Sequence, residues 1–192
     1  MRNHVLTVLV FFCVSTKAQL PFKKSNEISP VLSKVIHDYP NSFSSIKGEL
    51  LEDDPQFSNY ACLLSIPGIS EPGIITQYGE EKERAYSWRN VLLETENFEE
   101  AKKRFKQFYT EASKTITVIH GMEIKLVADY AEPSEDKKFN SIRFTLQTIE
   151  DTVKDVTVEL TMQYEMSGWK IALSVYHMDD MQKGLAGTDT DN

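Results

Sequence analysis

Two neighbouring segments near the C-terminus constrain the fold most, because apolar and polar residues alternate strictly along both of them. In the first segment the apolar positions are Val156, Val158, Leu160, Met162, Tyr164 and Met166. After a turn at 167–168, the pattern returns at Trp169, Ile171, Leu173 and Val175. Side chains of a β-strand alternate between its two faces, so this pattern predicts an antiparallel hairpin. One face of the hairpin lies in a core, and the other, rich in Thr and Glu, faces water.

Shorter alternations predict the remaining strands, and two amphipathic segments predict helices. The expected order is a helix over 29–39, three or four strands between 43 and 93, a helix over 97–112, and four strands up to 178. Helices must cover one face of such a sheet to bury its apolar side chains. The sequence therefore predicts the α+β class, with a single domain in which a curved antiparallel sheet of about six to eight strands carries two helices packed on it.

The two helices are predicted from their start residues and their apolar stripes. Ser29 is the expected cap of the first helix, with Pro30 at its first position. Asn97 is the expected cap of the second, with Glu100 as its capping-box partner. One face of the second helix is marked by Phe98, Ala101, Phe105, Phe108, Tyr109 and Ala112. Such an aromatic stripe indicates contact with a core rather than a ligand site.

Residues 1–18 have the layout of a secretory signal peptide. Arg2 supplies a positive charge, Val5–Val14 forms an apolar run, and Thr16–Ala18 offers small residues for cleavage before Gln19. A membrane-spanning helix needs about 20 apolar residues, and this run is too short. We therefore expect an exported, soluble protein of the periplasm or extracellular space, from a Gram-negative bacterium, with no stable membrane insertion after cleavage.

The rest of the chain then divides into three parts. Residues 19–28 are an expected flexible leader, 29–178 a single α+β domain, and 179–192 a disordered tail rich in Asp, Gly and Thr. The net charge of −8 argues against binding of nucleic acid, which requires a basic surface. Cys62 is the one cysteine that remains after signal cleavage, so an intramolecular disulfide is excluded and a core position is expected.

Two short motifs carry a resemblance to known proteins. The run Asp38–Phe43 followed by Ile46–Glu49, and then Trp88 with Val91–Ala101, resembles an uncharacterised family of small exported bacterial proteins. The resemblance covers roughly residues 38–110 and implies an envelope or secreted location with no assigned activity. The order of elements alone is also similar to that of type III secretion chaperones, although the additional C-terminal strands depart from the chaperone pattern.

Residues that could carry chemistry are scattered. The three histidines after the signal, His37, His120 and His177, occur in no metal-ligand motif, and neither a metal site nor a cofactor is predicted. His120 is expected in a turn before a strand. His177 continues the inward phase of the last strand, so it is either a strand-end residue or a single ligand or acid/base group at the rim of a pocket. The sequence contains neither a nucleophile elbow nor a phosphate loop.

Three residues remain as candidate binding residues, namely Tyr86, Trp88 and His177. Tyr86 and Trp88 share one strand face and Arg89 lies on the other. If a helix covers the first face, the two aromatics are core residues; if it is open, they form a recognition surface. The leading hypothesis is a non-catalytic envelope domain that binds a protein, a peptide or a small ligand through an open sheet face or a cleft beside a helix. The alternatives are a hydrolase with a site at His120 or His177, and a periplasmic chaperone with an exposed apolar groove.

Overall fold

The computed structural model describes residues 27–79, 84–148, 153–166 and 168–177. Its elements, with a 3-10 helix at Tyr39–Asn41 after the first α-helix, are α1 Ile28–Asp38, β1 Lys47–Asp53, β2 Phe57–Cys62, β3 Ile74–Tyr78, β4 Ala85–Thr95, α2 Phe98–Ala112, β5 Ile116–Ile119, β6 Met122–Val127, β7 Phe139–Gln147, β8 Val156–Glu165 and β9 Gly168–His177. The predicted signal peptide and tail lie outside these residues, as does all of the predicted leader except Glu27 and Ile28. Among the described residues, no helix has the length and apolarity to cross a membrane.

The nine strands of the described residues pair antiparallel in one open sheet, in the order β1-β2-β3-β4-β9-β8-β7-β6-β5. The predicted α+β class and antiparallel sheet are confirmed, and the strand number is slightly above the predicted range. The chain forms two similar halves, each a helix followed by a meander of strands. The halves join where their last strands, β4 and β9, pair with one another. This duplication of architecture is not apparent as a repeat in the sequence.

The closing hairpin has the predicted form. β8 pairs with β9 over its whole length, from Val156 opposite His177 to Glu165 opposite Gly168. Trp169, Ile171 and Leu173 are buried on the inner face, which α1 and α2 share. α2 contacts β4, β8 and β9, and its Phe105 and Phe108 complete this core. Burial of such side chains contributes about 1.5–3 kcal/mol each.

The predicted cap of α2 is present. The Asn97 side chain accepts a hydrogen bond from the backbone N–H of Glu100 at 3.0 Å. The return half of the capping box is different, because the Glu100 carboxylate accepts from the Thr95 hydroxyl, and the Asn97 N–H donates to that hydroxyl. These bonds satisfy N–H groups that a helix start leaves without intrahelical partners.

The predicted cap of α1 is wrong. The helix begins at Ile28 with Glu27 at the cap position, and no side chain caps it. Ser29 therefore lies inside the first turn. The helix begins before the expected cap because Ile28 is fully buried in the core. α1 instead bonds to the edge strand β5: Ser33 Oγ donates to the Ile116 carbonyl, and His37 Nδ1 donates to the Val118 carbonyl. These contacts shield one sheet edge from other strands.

Candidate functional site

The outer face of the sheet, opposite the helices, carries the candidate site. Strand register places Ile74 of β3, Arg89 of β4, Ser174 of β9, Glu159 of β8 and Arg143 of β7 in one row across five strands. Neighbouring strands lie about 4.8 Å apart, so Arg89 and Glu159 are separated by about 10 Å with Ser174 between them. Four polar residues that are distant in sequence thus form one continuous row, with the apolar Ile74 at its end.

Glu159 lies at the centre of a hydrogen-bonded network on this face. Its Oε1 accepts from Arg143 Nε at 3.0 Å, and its Oε2 accepts from the Tyr176 hydroxyl at 2.8 Å. The Glu159 side chain is only 12% exposed, although the alternation predicts a face in water. Burial, together with the hydrogen bond to Glu159, raises the pKa of Tyr176 to about 12. Tyr176 therefore stays neutral at ordinary pH and remains a donor.

Arg89 differs from these residues because no described residue bonds to its guanidinium. It is exposed and makes neither a hydrogen bond nor an ion pair with any of the residues that the structure describes. The other cations of the face are occupied: Arg143 bonds to Glu159, and Lys170 lies 3.0 Å from Glu94 and 2.9 Å from Glu165. Of these three described cations, Arg89 is thus the one that remains available to a ligand.

Two depressions of the outer face meet at Arg89. The smaller, of about 240 Å³, is lined by Tyr78, Ser87, Arg89, Phe139, Glu159, Thr161, Gln163, Ser174 and Tyr176. The larger, of about 380 Å³, is lined by Asn59, Glu71, Pro72, Ile74, Thr76, Tyr78, Ser87, Arg89, Val91, Glu165 and Lys170. Both share Tyr78, Ser87 and Arg89. The two depressions that adjoin Arg89 are therefore lined by hydroxyl, aromatic and carboxylate side chains.

The three residues singled out from the sequence all lie on β4 or β9. Trp88 is 1% exposed and belongs to the inner core, the first of the two interpretations that the sequence allowed. Tyr86 is half-buried and donates a hydrogen bond to Gln77 Oε1 at 3.3 Å. His177 ends β9, where its Nε2 is 3.9 Å from Asp155 Oδ2 and its buried Nδ1 has no hydrogen-bond partner among the described residues. The structure does not bring these three side chains into one described cavity.

The other residues considered for chemistry, His37, His120 and Cys62, lie outside both depressions. His37 bonds to β5. His120 and Gly121, which both have positive φ, form the turn between β5 and β6. Cys62 is buried, and burial raises the pKa of its thiol. Within the described residues, no group of three or more His, Cys, Asp or Glu side chains could hold a metal ion.

Sequence reasoning missed Arg89, Glu159 and Tyr176 as a site. The one sequence signal that pointed to this site was the alternation, which puts Arg89 and Glu159 on an outward face. It could not place them in one row, because β4 and β8 are neighbours only through β9. A scan against protein-family models, a search of curated proteins and a search of solved structures each gave no match to this chain.

Proposed function

We propose that this chain is an exported, non-catalytic binding protein that holds a small ligand on the outer face of its sheet. The observation that carries the proposal is the unpaired guanidinium of Arg89, positioned between two adjoining depressions. Ligand sites combine a concave surface with a few fixed polar groups, and this face offers both. The depressions are open and shallow, which fits reversible binding of a small molecule.

The scaffold beneath Arg89 favours binding because it is rigid. Arg89 lies in the middle of β4, which pairs with β3 on one side and β9 on the other. The adjacent network of Glu159, Tyr176 and Arg143 fixes the neighbouring floor by hydrogen bonds. A preorganised surface loses less conformational entropy when a ligand binds, so more of the contact energy remains as affinity.

The hydrolase hypothesis makes a different structural demand, namely a histidine bonded to a carboxylate beside a nucleophile. His177 Nε2 is 3.9 Å from Asp155, which is beyond hydrogen-bond distance. His120 occupies a two-residue turn with Gly121. This geometry supports the binding hypothesis more than a histidine-based hydrolase.

A chaperone would require a broad apolar groove. The exposed large apolar side chains among the described residues are spread along the whole sheet: Leu50, Leu51 and Leu63 near β1 and β2, Ile74 on β3, Tyr164 and Met166 on or after β8, Phe139 on β7, Val127 on β6, and Ile116 and Val118 on β5. These side chains cannot line one groove, because seven strands separate β1 from β5. The outer face therefore supports a small-ligand function better than a chaperone function.

A fragment titration tests the proposal. Amide chemical shifts of the ¹⁵N-labelled protein are measured with a panel of small acids, amines and neutral polar compounds. We expect the shifts to concentrate on Ser87, Arg89 and Ser174. Ser174→Tyr, which fills the smaller depression, should abolish them, whereas Thr145→Tyr, on an exposed position of β7 outside both depressions, should not. If no compound moves these amides, the proposed function is wrong.

Export is tested separately. The full chain is produced in a Gram-negative host, the periplasmic fraction is collected, and the N-terminal residue of the recovered protein is determined. A mature chain that begins at Gln19 supports the proposed location. Retention of the full chain in the cytoplasm contradicts it without bearing on the ligand site.

A further inference from the structure

The charges around Arg89 indicate which chemical group the site would hold. Resting on the proposed function, we infer that the ligand is a small monocarboxylic acid whose carboxylate is bound by Arg89 and whose apolar part lies in the smaller depression. A guanidinium presents two parallel N–H donors that match the two oxygens of a carboxylate. Because Arg89 makes no bond to a described residue, both donors are available.

Two serines line the smaller depression together with Arg89. Ser174 is the cross-strand neighbour of Arg89, and Ser87 precedes Arg89 by two residues on the same face of β4. Tyr78 Oη is 3.4 Å from Ser87 Oγ, a long contact that leaves the serine hydroxyl free to reorient toward a ligand. Hydroxyl groups can donate to carboxylate oxygens that the guanidinium leaves unsatisfied.

The surrounding charges select a single negative charge. Glu159 also lines the smaller depression, but Arg143 compensates it and Tyr176 occupies its second oxygen. Arg89 is the one cation among the described residues that line the smaller depression, so it supplies about one unit of positive charge there. A second negative charge on the ligand would find no further unpaired cation among the described residues that line the two depressions, and it would be repelled by Glu71 and Glu165 at the larger depression. A dianionic phosphate is thus disfavoured relative to a carboxylate.

Aromatic side chains supply the apolar contact. Phe139 is 55% exposed and Tyr78 is half-buried, and both line the smaller depression together with Arg89. An exposed phenylalanine on a polar sheet face has apolar area that a ligand could cover. The depression of about 240 Å³ limits that ligand to a small aromatic or short aliphatic frame.

Benzoate and its neutral isostere benzamide test the inference on the full mature chain. Amide shifts of ¹⁵N-labelled protein are followed during titration with each compound. We expect benzoate to move the Ser87, Arg89 and Ser174 amides, and to bind about 10- to 100-fold more tightly than benzamide. Arg89→Gln should abolish this preference. Arg104→Gln on α2 removes the same charge at a distance and should leave it unchanged.

The outcomes separate the ligand class from the proposed function. If benzamide binds the outer face as tightly as benzoate, or if Arg89→Gln retains the preference, the carboxylate inference is wrong while the binding function stands. If neither compound and no member of the wider panel moves these amides, the function itself is wrong. Circular dichroism of Arg89→Gln verifies the fold, and Arg89→Lys, which keeps the charge without the fork, should restore part of the preference.

Discussion

Removal of the Tyr176 hydroxyl is the most direct probe of the outer face. In Tyr176→Phe the ring stays in its nearly buried position, and Glu159 Oε2 loses the donor that lies 2.8 Å away. The Glu159 carboxylate keeps its bond to Arg143 Nε but remains in a largely buried place with one oxygen unsatisfied. The variant therefore isolates one hydrogen bond to a nearly buried charge.

The expected loss follows from the burial of the partners. A hydrogen bond to a charged group contributes about 1.5–3 kcal/mol to stability, whereas a neutral one contributes about 1 kcal/mol. Glu159 borders the smaller depression, so water can reach the vacated position and replace part of the lost interaction. We therefore expect Tyr176→Phe to lower the free energy of unfolding by about 1–2 kcal/mol.

Urea unfolding at pH 7, followed by far-UV circular dichroism, measures this difference. Tyr78→Phe is the matched control on the same face, because its hydroxyl makes only a long, neutral contact of 3.4 Å with Ser87. We expect that control to change stability by less than about 0.5 kcal/mol. Equal losses in the two variants, or a gain in Tyr176→Phe, would refute the assignment of Glu159 as a buried charge that depends on Tyr176.

Three further predictions concern pH, packing and capping. The pKa of Tyr176 is raised from about 10 to about 12 in the folded state, so its stabilising contribution is complete below about pH 10 and is lost as the pH rises toward 12. Urea unfolding midpoints of wild type and Tyr176→Phe, measured across pH 8–12.5, would detect this loss. Gly73→Ala places a Cβ 2.5 Å from Trp88 Nε1, and we expect overpacking to cost about 1–3 kcal/mol in urea unfolding. Asn97→Ala removes the acceptor of the Glu100 N–H, and thermal unfolding should report a loss of about 1 kcal/mol.

Each of these predictions has a control. Tyr176→Phe should lack the decline specific to Tyr176, and parallel pH curves for the two proteins would contradict the raised pKa. Gly121→Asn tests a glycine with nothing within 4 Å of its added Cβ, and asparagine tolerates its positive φ, so a loss as large as that of Gly73→Ala would argue against overpacking. Asn97→Asp keeps the acceptor, and its failure to preserve stability would contradict the capping interpretation.

Local patterns predicted some elements well because each of those elements satisfies a local rule. The closing hairpin pairs strands that are adjacent in sequence, so the alternation defines both its strands and its buried face. Asn97 caps α2 through an acceptor three residues away. In both cases the decisive partners lie within one turn or one hairpin of each other.

One strand and one helix start were not predicted correctly, because distant contacts override their local pattern. β5 was missed, since its apolar Ile116 and Val118 are exposed while Thr117 is buried, the reverse of the usual alternation. The Thr117 hydroxyl donates to the Ser33 carbonyl of α1, which explains its burial. The start of α1 is likewise set by the buried position of Ile28 rather than by a capping side chain at Ser29.

The sequence by itself determined the class of fold, the inner and outer faces of the late strands, and the start of α2, because these depend on spacing of two to four residues. It also placed Arg89 and Trp88 on opposite faces of the same strand. Only the tertiary structure decided that Arg89 bonds to none of the described residues while Glu159 is bonded to Arg143 and Tyr176. That outcome depends on which strands become neighbours and in what register, and both are set by burial of the shared core across the whole chain.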